Sequence, residues 1–180
     1  MEDAQPGTTA LEDFRKDKDR VFVTDHHSPL PHEARHHFEG LKYYAENPAL
    51  RLELALEPPE DTSEVRMGTS TGEEQVYHRA GSVAFKVGDQ DAHLTLLQAP
   101  GSHEYFLPFR DKTSGKETYG AGRYVEVDHA HEGKVLVDFN YAYNPNCAYS
   151  PEWSCPLPPP ENWLQVPIEA GEKNFSDDPH

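Results

Sequence analysis

From Leu50 the chain adopts a period of two: Leu50, Leu52, Leu54 and Leu56 alternate with Arg51, Glu53, Ala55 and Glu57. Successive side chains of a strand point to opposite faces, so the pattern specifies a strand with one apolar and one solvated face. Pro58-Pro59-Glu60-Asp61 ends it. Comparable stretches follow at residues 64–69, 75–79, 82–87, 93–98 and 105–110, with Gly72, Gly81, Gly88-Asp89 and Pro100-Gly101 as turns. Residues 124–127, 134–139 and 164–168 bring the expected strands to about nine. The fold expected is mainly β and antiparallel, barrel-like, with a β-sandwich as the alternative.

Two short helices are expected ahead of these strands. Residues 1–9 read as a loose tail. The segment TALEDFRKDKDRVFV then carries Leu11, Phe14, Val21 and Phe22 as the apolar positions of a helix, which Ser28-Pro29-Leu30-Pro31 stops. A second helix is expected after Pro31, ending near Gly40, since proline suits a first turn and glycine a C-terminal cap. A length of 180 residues fits one domain, here 10–180, with 10–45 as a helical lead-in and 50–180 as the β domain.

Charge narrows the partners. Asp and Glu number 32 against 16 Lys and Arg, a net −16 that repels phosphate backbones and anionic lipid, so neither nucleic acid nor membrane is expected. The acids run along the whole chain rather than forming a tail, as suits a protein kept soluble in concentrated salt, and a salt-loving source is expected. The N-terminal MEDAQPGTTALEDF has no basic start followed by an apolar stretch, and no run approaches the length of a membrane span; a cytoplasmic location is expected. Two cysteines, Cys147 and Cys155, are too few for a secreted disulfide scaffold.

Residues 141–162, YAYNPNCAYSPEWSCPLPPPEN, follow no period and form a long loop, a feature that is usually functional when it is ordered. Cys147 and Cys155 are more widely spaced than zinc hairpins require; they read as buried free thiols, with a loop-closing disulfide or metal ligation as alternatives. His32-Glu33-Ala34-Arg35-His36 matches HExxH, which places two zinc ligands one helical turn apart. The helix has little room before Gly40 and no third ligand is evident, so it reads as a solvated face. No metal is expected; His32, His36, Cys147 and Cys155 are the residues that would carry one.

Asp111, Ser114, Tyr119 and Arg123 lie around a glycine-rich hairpin in which Arg123 could grip an anion through two parallel hydrogen bonds or pair with Asp111 or Asp138. Asp138 and Asn140 end a strand and, with Tyr143 and Asn144, either line the mouth of a barrel or cap backbone amides. Glu169 and Glu172 either supply a general acid or base, as Asp138 could, or belong to a solvated turn.

FRDKTSGKETYGAGRY, VLVDFNYAYNPNCAYSPEWSCPLPPPENWL and VPIEAGEK resemble the signature blocks of the domain-of-unknown-function 1684 family, and KDRVF, SPLP and FEGLKYY resemble its N-terminal region. The resemblance spans nearly the whole chain and transfers no activity, catalytic residue or cofactor. The function expected is therefore a small-molecule-binding β domain whose polar and aromatic pocket holds a small anionic ligand on Arg123. A metal- or acid–base-dependent hydrolase using the same pocket is the alternative, and a structural or interaction protein presenting Trp153 and Trp163 the second.

Overall fold

The computed structural model describes residues 10–130, 132–150 and 152–175; the expected tail, 1–9, lies outside them. Helix α1, Ala10–Thr24, opens with Glu12 and Asp13, whose charge suits the positive end of a helix dipole. Leu11 and Phe22 are its buried residues, and their separation of eleven positions is close to three whole turns. Lys18, seven residues beyond Leu11, shares their face. Helix α2, His32–Arg35, begins after Pro31 but lasts one turn, so the segment up to Gly40 is not helical as expected.

Seven strands follow: β1 Arg51–Ala55, β2 Glu64–Gly68, β3 Glu74–Val87, β4 Gln90–Gln98, β5 Tyr105–Phe109, β6 Arg123–His129 and β7 Lys134–Asp138. They form one antiparallel sheet in the order β1-β7-β6-β5-β4-β3-β2. The chain is mainly β, as expected, but the sheet is not closed into a barrel: β1 and β2 are its edges. A single antiparallel bridge, Glu57 to Ser82, links the chain just past β1 to β3, and no continuous ladder follows it.

Three expected strands differ in kind. Residues 75–79 and 82–87 are one strand, β3, because Gly81 makes a bulge instead of a turn. The extra residue reverses the facing of the strand. Tyr77 therefore packs beside Val65, Met67 and Leu97, whereas Val83 and Phe85, of the same parity, enter the main core with Leu94, Leu107, Val125 and Val137. Residues 164–168 alternate exposed and buried like a strand but join no sheet. Their backbone bonds go to the segment after β5: Leu164 N donates to Arg110 O at 2.7 Å, Lys112 N to Val166 O at 3.1 Å, and Ile168 N to the Asp111 carboxylate at 2.6 Å. A side chain replaces a ladder carbonyl, so the pairing stops. A second, smaller apolar cluster of Phe22, Leu30, Ala148 and Tyr149 binds α1 to the long loop.

Candidate functional site

The polar residues singled out by sequence fall into three places. The first is a buried scaffold. Arg123, with no accessible surface, leaves β6 toward the core and donates to the carbonyl oxygens of Ala170 (2.5 Å), Glu172 (3.1 Å) and Ile168 (2.8 Å), with the Asp111 carboxylate 3.6 Å away. Burial lowers its pKa against the raising effect of Asp111. The guanidinium thus faces three backbone carbonyls and the Asp111 carboxylate, the pairing with an acid that the sequence offered as the alternative to gripping an anion. Asp111 accepts from Thr113 Oγ1 (2.9 Å), Ser114 Oγ (3.2 Å) and Ile168 N, so Asp111 and Ser114 belong to the same scaffold.

Glu172 continues it. Its carboxylate takes the Lys18 ammonium on one oxygen, and on the other the Asn144 amide N–H (3.0 Å) and the Tyr149 hydroxyl (2.6 Å). Burial, then this carboxylate, pushes the Tyr149 phenol well above its usual range and keeps it a donor. Glu172 is thus an anchor between α1 and the long loop, whereas Glu169 is exposed on the other side of the chain. Asn140 pairs both amide atoms with the backbone of Asn47, and Asp138 Oδ1 accepts the Asn140 N–H at 3.0 Å, capping the short turn Phe139–Tyr141.

The second place is a cleft of about 920 Å³ between α1 and the outer face of β6, β7 and β1. Phe14, Tyr141 and Tyr143 supply its aromatic surface, and Phe14 and Tyr141 meet edge to face at 5.0 Å. Its charged groups are Glu46, Glu126, Asp128 and Asp138 against Lys18 and Arg51. Lys18 is engaged by Glu172, and Arg51 lies 3.8 Å from Asp138. Burial, then Glu126, raises the Tyr143 phenol, which donates to that carboxylate at 3.0 Å. Of the expected site residues, the cleft brings together Asp138 and Tyr143 alone. Glu126 and Asp128 were missed, although they alternate with Val125 and Val127 along β6 and so were readable as its outer face.

The third place holds Tyr119 with the two cysteines. Both thiols are free and buried, and the Tyr119 hydroxyl donates to Cys147 Sγ at 3.5 Å. His32, which opens the four-residue α2, and His36, just past its end, lie with ring centroids 5.4 Å apart. Among the described residues no three His, Cys, Asp or Glu side chains gather as a metal site would require. No helix of the described residues is long and apolar enough to cross a membrane.

Comparison with known proteins adds a family and a fold. A solution NMR structure of an uncharacterized protein from Haloarcula marismortui is similar at 36% identity and a TM-score of 0.71, over 93% of this chain and 94% of that one. No curated protein matches. The family model described as protein of unknown function (DUF1684) matches residues 36–173. These residues include β1 to β7, the buried scaffold and both cysteines, and the chain belongs to that family.

Proposed function

We propose that this protein binds a small organic molecule in the cleft beneath α1, and that the ligand is an amine with an apolar body. One observation carries the reading: a cleft of about 920 Å³ joins three aromatic side chains to four carboxylates and two already engaged cations. Its size lies within the range of small-molecule sites. An ammonium group entering it meets Glu126 and Asp128 and the faces of Tyr141 and Phe14, a combination that favours cations. An anion meets net negative charge in a chain that already carries −16.

Phe14 supports the same reading, since its phenyl ring is left 44% exposed on α1, takes no part in the apolar clusters and meets Tyr141 in the cleft. The exposed Trp153 and Trp163 favour an interaction role less, because Trp163 is stacked under Arg110 and donates to Pro158 O. We read residues 10–180 as one domain, its sheet curled in barrel-like fashion through the Glu57–Ser82 bridge. The acidic surface is read as an adaptation to salt and the location as cytoplasmic, where unpaired thiols stay reduced.

Amide NMR spectra recorded with phenethylamine and, separately, with phenylacetate test the proposal. The amine is expected to shift resonances of α1 and β6, with the effect weakened in Glu126→Gln and Asp128→Asn. Equal shifts from both compounds, or none in the cleft, would overturn it.

A further inference from the structure

Trp153 is not held as Trp163 is. The indole N–H of Trp163 donates to Pro158 O, whereas that of Trp153, a residue left 38% exposed, has no acceptor among the described residues. Trp153 borders a groove of about 330 Å³ that lies on the outer face of β6, where Tyr124 alternates with the buried Val125. Four more rings line it in an unbroken row: Tyr77 stacks on Phe106 at 5.3 Å, Phe106 meets Tyr124 edge to face at 4.8 Å, and Tyr124 meets Tyr143 likewise at 5.8 Å. Tyr143, at the end of the row, also lines the cleft under α1.

The hydrogen-bonding groups of the groove are unevenly used. The carbonyl oxygens of Tyr143, Pro145, Asn146, Trp153, Cys155 and Pro156 each accept a bond from within the chain. The hydroxyls of Tyr77 and Tyr143 donate to Gln75 Oε1 and to Glu126. What is left over is a set of donors: the Trp153 indole N–H and the side-chain amide N–H groups of Gln75 and Asn146 have no acceptor among the described residues. A ligand that matches this set brings carbonyl oxygens and few N–H groups of its own.

Proline has that chemistry. It carries a carbonyl but no N–H, and its ring packs on aromatic faces. In the polyproline II conformation the carbonyls point outward with no internal hydrogen bond, and the segment is already extended before it binds. A helix engages its carbonyls internally, and an ordinary strand brings an N–H with each one. Charge adds a second requirement. The residues lining the groove are neutral, but Glu126 lies at its Tyr143 end, and the exposed Glu152 precedes Trp153 with no cation paired to it among the described residues. A basic residue beside the prolines is attracted, and an acidic one is repelled by a chain of net charge −16.

We propose that this groove docks a basic, proline-rich segment of a partner protein. The prolines lie along the row from Tyr77 to Tyr143, the segment's carbonyls accept from Trp153, Gln75 and Asn146, and its Lys or Arg faces Glu126 or Glu152. The proposal goes beyond amine binding under α1, because the groove lies outside that cleft and Trp153 takes no part in it.

NMR spectra of the full chain, titrated with a capped peptide of one lysine followed by six prolines, test the proposal. The two tryptophan indole N–H resonances are the readout, and Trp153→Phe assigns them. The Trp153 resonance is expected to move and that of Trp163 to stay. Trp153→Ala should lower the affinity about tenfold or more, and Trp153→Phe, which keeps a ring but loses the donor, about threefold. Glutamate in place of the peptide's lysine should weaken binding about two- to fivefold. An unmoved Trp153 resonance would overturn the proposal, as would equal shifts from a lysine peptide built on glycine and serine, or an equal shift from phenethylamine. Shifts confined to α1 and the cleft residues of β6 would support the cleft alone and remove the groove as a docking site.

Discussion

Replacing Arg123 with methionine separates a structural arginine from a ligand-gripping one. The side chain makes three hydrogen bonds to the carbonyl oxygens of Ala170, Glu172 and Ile168. A hydrogen bond to a charged group contributes about 1.5–3 kcal/mol, so losing three removes roughly 4–9 kcal/mol if they act independently. Asp111, fully buried at its side chain, also loses its counter-charge, and breaking a buried pair costs about 3–5 kcal/mol. These terms overlap, and the Arg123 Nε is already without a partner, so the low end is the better guide. We expect a loss of about 5 kcal/mol, comparable with the whole stability of many domains. Arg123→Lys keeps the charge but reaches fewer carbonyls and should lose about 2–3 kcal/mol. Urea unfolding followed by tryptophan fluorescence reads both. With a slope near 2 kcal/mol/M, the methionine variant should unfold roughly 2.5 M earlier, and the lysine variant about 1–1.5 M earlier. A methionine variant within about 0.5 M of wild type would refute the argument, since an arginine facing a ligand can be removed without that cost.

Glu172→Ala strands the Asn144 N–H and the Tyr149 hydroxyl and frees Lys18, so a loss of about 3–5 kcal/mol is expected by urea titration; less than about 1 kcal/mol would show that the loop does not depend on it. Gly122 has φ +106°, and an added Cβ would lie 2.5 Å from Phe109 O and 2.9 Å from Pro158 Cγ. Gly122→Ala should therefore cost well over the roughly 1–2 kcal/mol of the backbone conformation alone, for which Gly72→Ala, at φ +90° with open space around it, is the control; equal losses would remove the steric account. Raising salt from about 0.1 M to about 1 M shortens the screening length from about 10 Å to about 3 Å and should raise the thermal midpoint of a chain with net charge −16, whereas no rise would mean that repulsion does not limit stability.

The strands were legible because their faces differ. The leucines of β1 alternate with Arg51 and Glu53, the buried valines of β7 are flanked by Lys134 and Asp138, and the two strands pair as Leu54 with Val135 and Leu52 with Val137. What periodicity does not carry is which strands meet. β1 lies beside β7, more than eighty residues on, and β2 is left as an edge, so an open sheet and a closed one have the same local pattern. Glycine carries a second ambiguity. Gly81 bulges and Gly88 turns, yet each interrupts a similar apolar run, and only the packing of Gly81 against Leu56 and Glu57 O distinguishes them.

The site was harder to read for a different reason. Residues 111–144 attracted interest because arginine, aspartate, asparagine and glycine crowd into them, but a buried scaffold needs the same residues as a binding site. Residues 164–173 run across the sheet without a ladder of their own, and their carbonyls and amides must still be paired. Arg123, Asp111 and Asn144 pair them, so the polar density records how an irregular segment is held. The cleft has the opposite signature. Its lining comes from α1, from residues 46–51, from β6 and from residues 136–143, four stretches that are each unremarkable in sequence. Local polar density therefore finds the scaffold, and the cleft becomes visible only once α1 lies across the outer face of β6.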